Sequence, residues 1–264
     1  MVERAERPGQ EELISGGDIL SSEDFDAVIF DLDGVITDTA RAHFAAWKET
    51  FDNFLRTLEG RDFTPFTTED YRRYVDGKSR IEGIESFLES RSIPLPLGEE
   101  SPQRGTKESE TIHSLARKKN RRYQNYLEAG EIEVFEESVD LVRQVLRKGM
   151  KTALVSSSKN AKRVLEILDL ESFFDVRVDG NTLQEMDLKG KPAPDLFAEA
   201  AGRLGVDPRR AVVIEDAESG VQAGRSGGFG LVVGVSKNSG EQRSLLDAGA
   251  DLAVENLGQL LTRH

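Results

Sequence analysis

The sequence predicts an α/β protein: a parallel sheet covered by helices on both faces, with a helical cap inserted after the first strand. Two observations carry this prediction. After about residue 135, short apolar runs alternate with helical segments, which is typical of right-handed crossovers between parallel strands. Before that point, residues 41–130 show helical periodicity. We therefore predict a core of residues 25–40 and 131–264 and a cap of residues 41–130.

The predicted strands are short apolar runs of the kind that is buried in parallel sheets. The first is Ala27–Phe30, and the later ones lie at 151–155, 176–178, 211–214, 231–235 and 252–254. Helices are predicted before or between the later strands, at 137–148, 160–169, 195–204 and 218–226.

The insert is predicted to be helical because its apolar residues are three or four positions apart. Helices are expected at 41–58, 68–90 and 111–128, and the stretch 93–110, which contains prolines and glycines, is expected to be a loop. In the first of these helices, the spacing places Trp47 on one face with Phe44, Phe51 and Leu55. This pattern favours packing in a core for Trp47.

Composition limits the classes of protein to which the chain can belong. It has 264 residues, no cysteine and a net charge of −13, which excludes disulfides and disfavours general nucleic-acid binding. It has no run of 18 apolar residues, and its polar start lacks the apolar core of a signal peptide. We expect a cytoplasmic monomer with no membrane or nucleic-acid partner, in which residues 1–24 form a flexible extension.

Polar residues follow several predicted strands in a recurring way. The groups are Asp31 with Asp33, Ser156 with Ser157 and Ser158, Lys191, and Glu215 with Asp216. Because the carboxyl ends of parallel strands lie along one edge of a sheet, these groups can converge. Carboxylates suit a hard cation such as Mg²⁺, hydroxyl and loop N–H groups suit phosphate oxygens, and lysine offsets negative charge. Phosphoryl transfer depends on such positioning and charge neutralisation.

Each group also has a purely structural interpretation. The segment Asp31–Gly34 could form an Asx-rich turn, although a calcium-binding EF-hand would need a carboxylate at the position of Ala42. The three serines could cap the helix at 160–169, and Glu215-Asp216 could be acidic residues of a first helical turn. The basic run 117–122 extends around a helix, so most of it is predicted to be a solvated face.

The four groups, in this order and spacing, resemble the haloacid dehalogenase superfamily of phosphotransferases. Within it, Phe30–Ala40 followed by His43 and Trp47-Lys48 is similar to the β-phosphoglucomutases, and so are Ser156–Asn160 and Lys191–Asp195. The likeness runs from about residue 26 to the C-terminus. It implies a Rossmann-like three-layer core and an inserted α-helical cap.

For the core, the resemblance implies a role for each matching residue. Asp31 matches the nucleophile that forms an aspartyl-phosphate, and Asp33 matches the general acid/base. The Mg²⁺ ligands that the resemblance implies are Asp31, Asp33 through its carbonyl, Glu215 and Asp216. The phosphate-binding residues that it implies are Ser156, Ser157, Ser158, Asn160 and Lys191.

For the cap, the resemblance implies contacts to the substrate. The matching residues are Thr39, His43, Trp47, Gly77, Ser79, Arg80, Lys119 and Asn120. His43 matches a histidine that hydrogen-bonds the acid/base, Arg80 an arginine that binds the far phosphate of the sugar, and Lys119 a second ligand contact. From the sequence itself, His43 could equally be a packed histidine and Arg80 a solvated arginine.

The resemblance thus implies a Mg²⁺-dependent phosphomutase acting on β-D-glucose 1-phosphate and glucose 6-phosphate through a sugar bisphosphate, with the cap closing to exclude water. A sugar-phosphate phosphatase is the alternative, because it needs the same core residues and lets water attack. A non-catalytic binding protein is disfavoured because both aspartates and the acidic pair are present. Asp76 and Lys78, which flank Gly77, depart from the family pattern and leave the exact sugar open.

Overall fold

The structure is a computed structural model that describes residues 18–100, 110–130 and 132–261. The chain divides into two compact units. The sheet unit consists of Met1–Ile36 and Val134–His264, and the helical unit consists of Thr37–Glu133. Within the described ranges, none of the helices has the length and apolar character needed to cross a membrane.

A parallel sheet of six strands forms the centre of the sheet unit. The strands are β1 (Ala27–Asp31), β2 (Lys151–Val155), β3 (Val176–Val178), β4 (Ala211–Glu215), β5 (Leu231–Val235) and β6 (Leu252–Val254). They lie in the order β3-β2-β1-β4-β5-β6, and every neighbouring pair is parallel. Every residue of β1, β4 and β5 is buried, as expected for strands that are covered on both faces. The predicted α/β class with a Rossmann-like parallel core is confirmed.

The helical unit is built from helices that pack around aromatic side chains. Those described are α1 (Ala40–Glu59), α2 (Thr68–Tyr74), α3 (Arg80–Ser90) and α4 (Ile112–Glu128). The predicted stretch 68–90 is two helices, because the chain turns at Gly77, where φ is +70° and glycine is favoured. Thr67, Ser79 and Thr111 form capping boxes that fix where α2, α3 and α4 begin.

Helices connect the strands of the sheet unit. They are α5 (Glu136–Arg147), α6 (Ala161–Leu168), α7 (Gly180–Glu185), α8 (Asp195–Leu204), α9 (Glu218–Ser226) and α10 (Ser239–Ala248). Neither α7 nor α10 was predicted. The first has six residues, and the second buries Leu245 alone, so neither shows the apolar spacing that marks a helix in a sequence.

Residues 18–24 differ from the predicted flexible extension. Leu20 is fully buried, and the ammonium of Lys148 donates to both carboxylate oxygens of Asp18, at 2.6 and 2.7 Å. The same ammonium donates to the carbonyl of Leu20 at 2.9 Å. An apolar contact and an ion pair therefore fasten this segment to the end of α5. Residues 1–17 lie outside the described residues, as do residues 101–109 of the predicted loop.

Candidate active site

The candidate site lies at the carboxyl edge of the sheet, where three adjacent strands end. Asp31 is the last residue of β1 and is in register with Val155, the last residue of β2. Ser156 follows directly after β2, and Glu215 ends β4 on the other side of β1. The parallel topology therefore brings together polar residues that are far apart in the sequence, as predicted.

Lys191 joins two of these carboxylates. It lies in the loop before α8, and its side chain is 1% exposed. Its ammonium donates to Asp31 Oδ1 at 2.5 Å and to Glu215 Oε1, and it lies 5.0 Å from the centre of the Phe197 ring. A single cation thus bridges the ends of β1 and β4.

The three charges shift each other's pKa values. Burial alone would lower the pKa of Lys191, but the negative charges of Asp31 and Glu215 outweigh it, so this pKa is raised. Burial raises the pKa of Asp31 well above its ordinary value; the charge of Lys191 opposes this shift, whereas Glu215 and Asp33 add to it. Burial and the neighbouring carboxylates favour the protonated form of Asp31, and Lys191 is the group that favours its ionised form.

Asp33 lies between Asp31 and the serine loop, which we define as residues 156–160. Its N–H donates to Asp31 Oδ2 at 2.8 Å, and its Oδ2 accepts from Ser156 Oγ at 3.2 Å. Within the loop, Ser156 Oγ accepts from the N–H of Ser158 at 3.0 Å, and Ser158 Oγ accepts from the N–H of Asn160 at 3.2 Å. The serines thus shape the turn that enters α6, and Ser156 also contacts the predicted acid/base.

Glu215 and Asp216 have different surroundings. Glu215 is fully buried: Oε1 accepts from Lys191, and Oε2 accepts from the N–H groups of Asp216 and Ala217, both at 2.9 Å. Asp216 lies against the turn that follows Asp31-x-Asp33, because a Cβ at Gly34 would be 1.7 Å from Asp216 Oδ2. Gly34 has φ of +90° and no side chain, and both properties are needed for this close approach.

Oxygen donors for a metal ion are present at this edge. Across the described ranges, no three His, Cys, Asp or Glu side chains are grouped so that they could hold a metal ion. Asp31 ends β1 and Asp216 lies against the turn that follows, and the resemblance adds the carbonyl of Asp33 to these two carboxylates. Such a hard-oxygen set fits Mg²⁺, which commonly binds one or two carboxylates and completes its shell with water and phosphate oxygens. Since both oxygens of Glu215 are engaged within the protein, its role as a ligand stays a prediction.

In the helical unit, His43 and Lys119 come together. Lys119 is 2% exposed, and its Nζ lies 2.7 Å from His43 Nδ1. Since an ammonium has only donors, His43 Nδ1 is the acceptor in this contact. The ammonium also lies 5.0 Å from the Trp47 ring and 4.7 Å from the Tyr123 ring. Trp47 is buried and stacks on Phe51, which supports the core interpretation of Trp47, and its contact to the substrate stays a prediction.

Arg80 and Asn120 form a second pair in the helical unit. Arg80 donates to Asn120 Oδ1 at 2.8 Å, and burial lowers the pKa of Arg80 to about 10, which leaves it charged at neutral pH. The remaining predicted contacts have structural positions: Gly77 forms the turn before α3, Ser79 caps that helix, and Thr39 is buried just before α1.

Three residues that shape the sheet edge were not among those predicted. Gly34 makes room for Asp216, and Gly220 makes room for Glu215, since a Cβ there would be 1.8 Å from Glu215 Oε1. The sequence could have indicated both glycines, because each closely follows an acidic motif. Phe197 contacts Lys191, but it is one of several apolar residues of α8, and nothing in the sequence distinguishes it from the others.

Comparison with known proteins relates most of the chain to one family. The sequence model of the haloacid dehalogenase-like hydrolase family matches residues 25–228 of this chain. A β-phosphoglucomutase of Mycobacterium tuberculosis (strain CDC 1551 / Oshkosh) is 44% identical over 241 residues, which are 89% of this chain and 91% of that protein. A phosphorylated carbohydrates phosphatase of Thermotoga maritima is 32% identical over 87% of this chain and 94% of that protein.

A solved structure supports the same relationship. The crystal structure of a β-phosphoglucomutase from Clostridium difficile is similar to this chain with a TM-score of 0.70 and 28% identity, over 90% of this chain and 93% of that one. The segment that matches the family includes every strand-end group of the candidate site, from Asp31 to Asp216. This chain therefore belongs to the haloacid dehalogenase-like hydrolase family, in which it resembles the β-phosphoglucomutases.

Proposed function

We propose that this protein is a Mg²⁺-dependent phosphomutase that interconverts β-D-glucose 1-phosphate and glucose 6-phosphate. The observation that carries the proposal is the pair Asp31 and Asp33 at the end of β1, with the Lys191 ammonium 2.5 Å from Asp31 Oδ1. A carboxylate nucleophile needs an adjacent acid/base and a cation that offsets phosphoryl charge. Similarity to the M. tuberculosis β-phosphoglucomutase supports the choice of substrate.

The cycle begins with a phosphoryl group on Asp31. The 6-hydroxyl of β-glucose 1-phosphate attacks the phosphorus, the bond from phosphorus to Asp31 breaks, and the hydroxyl proton passes to Asp33. The product is a sugar bisphosphate. The hydroxyl groups of Ser156 and Ser157 and the N–H group of Ser157 bind the phosphoryl oxygens, and Lys191 offsets their charge.

The second half of the cycle restores the phosphorylated enzyme. Asp31 attacks the phosphorus of the 1-phosphate, and the bond from phosphorus to the sugar oxygen breaks. Asp33 returns its proton to that oxygen, and glucose 6-phosphate is released. Asp33 donates to Asp31 through its backbone N–H and accepts from Ser156, and these contacts hold its carboxyl group beside the nucleophile.

The oxygen donors at this edge support a Mg²⁺ requirement. Asp31, Asp216 and the carbonyl of Asp33 would hold the ion, which when bound supplies further neutralisation of phosphoryl charge. In this assignment, Glu215 holds Lys191 and the turn at residues 216–217 in place.

We assign recognition of the sugar phosphate to the two polar pairs of the helical unit. Arg80 is a partly buried cation oriented by Asn120, which suits the phosphate that is not being transferred. Lys119 is held by His43 and two aromatic rings, so its ammonium has a fixed position for a sugar oxygen. These residues are what a mutase needs in addition to the core residues that it shares with a phosphatase.

A sugar-phosphate phosphatase is the second candidate function. It is supported by the similarity to the T. maritima phosphorylated carbohydrates phosphatase, which is 32% identical. The chemistry at Asp31 would be the same in both cases. The difference is whether a sugar hydroxyl or water takes the phosphoryl group from Asp31.

The partition between isomer and free phosphate tests the proposed function. We expect that the protein, given β-glucose 1-phosphate, Mg²⁺ and catalytic glucose 1,6-bisphosphate, forms glucose 6-phosphate in large excess over inorganic phosphate. Both products are measured in the same time course. Rapid phosphate release without glucose 6-phosphate would overturn the mutase and support the phosphatase.

Substitutions at the acidic pair separate the roles of its two members. We expect Asp216→Asn to raise the Mg²⁺ concentration needed for half-maximal activity by at least about tenfold, because a ligand carboxylate is lost. We expect Glu215→Gln to lower the free energy of unfolding by about 3 kcal/mol, because it leaves the Lys191 charge with one buried partner fewer. Magnesium titrations and urea unfolding measure the two effects.

The matched control for these variants is Asp247→Asn, on the exposed side of α10, which should change neither quantity. An Asp216→Asn variant with the magnesium requirement of the wild type would contradict the assignment of Asp216 as a ligand.

Two neighbouring lysines test the helical unit. We expect Lys119→Met to reduce the kcat/KM for glucose 6-phosphate formation by at least about tenfold, because the methionine keeps the apolar stem between the rings and loses the ammonium. Lys118→Met should have little effect, because Lys118 is more exposed and pairs with Glu110. Equal kcat/KM values for the two variants would contradict a substrate role for Lys119.

A further inference from the structure

Behind the serine loop, the first residue of α7 has no room for a side chain. A Cβ at Gly180 would lie 2.6 Å from Ser157 O, 2.8 Å from Lys159 N and 3.0 Å from the carbonyl carbon of Ser158. All three are backbone atoms of the serine loop. A side chain at this position would therefore displace the loop itself, because no side-chain rotation could relieve the contact.

Hydrogen bonds attach the loop to this part of the sheet unit at successive points. The N–H of Ser156 donates to the last carbonyl of β3 at 3.0 Å, and the N–H of Gly180 donates to Ser158 O at 3.2 Å. The side chain of Asn181 donates through Nδ2 to Lys159 O at 3.1 Å. The position of the loop is thus set by the start of α7 as well as by its own serines.

The start of α7 is itself firmly held. Asp179 is buried, and its carboxylate accepts from the N–H groups of Asn181 at 2.9 Å and Thr182 at 3.3 Å. It also accepts from Arg177 Nε at 2.9 Å. The surface on which the loop lies is therefore fixed before any ligand binds, which is what a support for a binding loop requires.

We infer that Gly180 is a positioning residue for phosphoryl binding: the close packing of α7 on the serine loop sets where the hydroxyl groups of Ser156 and Ser157 and the N–H group of Ser157 point. This inference rests on the proposed function, in which these groups bind the phosphoryl oxygens. Hydrogen bonds weaken steeply as their angle and length depart from the ideal, so a small displacement of the loop lowers phosphate affinity.

The test compares two helical glycines. Gly180→Ala adds a methyl group against the loop, whereas Gly202→Ala, in α8, adds one where no atom lies within 4 Å. The readouts are kcat, the KM for the sugar phosphate, the Ki of inorganic phosphate as a competitive inhibitor, and the melting temperature. We expect Gly180→Ala to raise both KM and Ki by at least about tenfold, and Gly202→Ala to leave them unchanged.

A folded Gly180→Ala protein with the phosphate Ki of the wild type would overturn the inference. If Gly180→Ala does not fold, Asn181→Ala replaces it, and its lost hydrogen bond to Lys159 O should raise the Ki about threefold; an unchanged Ki would again overturn the inference. Failure of the proposed function has a separate signature: the wild-type protein would form no glucose 6-phosphate from β-glucose 1-phosphate, whatever the phosphate Ki of the variants.

Discussion

A buried lysine ammonium between two buried carboxylates is the interaction on which the rest of the sheet edge depends. The side chains of Lys191 and Glu215 are each 1% exposed, and that of Asp31 is 8% exposed. Two carboxylates so close together in a dry setting repel each other and favour protonation, and the single cation between them opposes both effects. Removing Lys191 would leave two uncompensated buried charges, so the loop before α8 is tied to β1 and β4 by strong electrostatic constraints.

The geometry of the site follows from this constraint. One carboxylate oxygen of Glu215 accepts from Lys191, and the other accepts from the N–H groups of residues 216 and 217. These bonds fix the turn that contains Asp216, whose carboxylate occupies the space beside Gly34. Asp216 thus lies against the turn that follows the proposed nucleophile. The ammonium is also in place before substrate binds, so charge on a phosphoryl group meets an electrostatic environment that needs no reorganisation.

The sequence was informative where structure is determined locally. All six strands were predicted within one residue of their observed ends, because strands that are buried in a parallel sheet are short continuous apolar runs in the sequence. The groups around Asp31, Ser156, Lys191 and Glu215 were predicted to converge because topology alone places strand ends together. Which partner each buried charge selects depends on tertiary packing, so the engagement of both Glu215 oxygens could not be predicted. The burial of Leu20 and the support of the serine loop by α7 likewise depend on residues distant in sequence.

In the proposed mechanism, Asp31 carries the phosphoryl group during turnover. The most direct measurement is to mix the protein with glucose 1,6-bisphosphate labelled in its phosphates, quench the mixture in acid within the first turnover and map the label by peptide mass spectrometry. We predict an acyl phosphate on Asp31 that is absent from an Asp31→Asn protein, whose activity falls by at least about a thousandfold. A label on another residue, or undiminished labelling and activity in Asp31→Asn, would contradict this account.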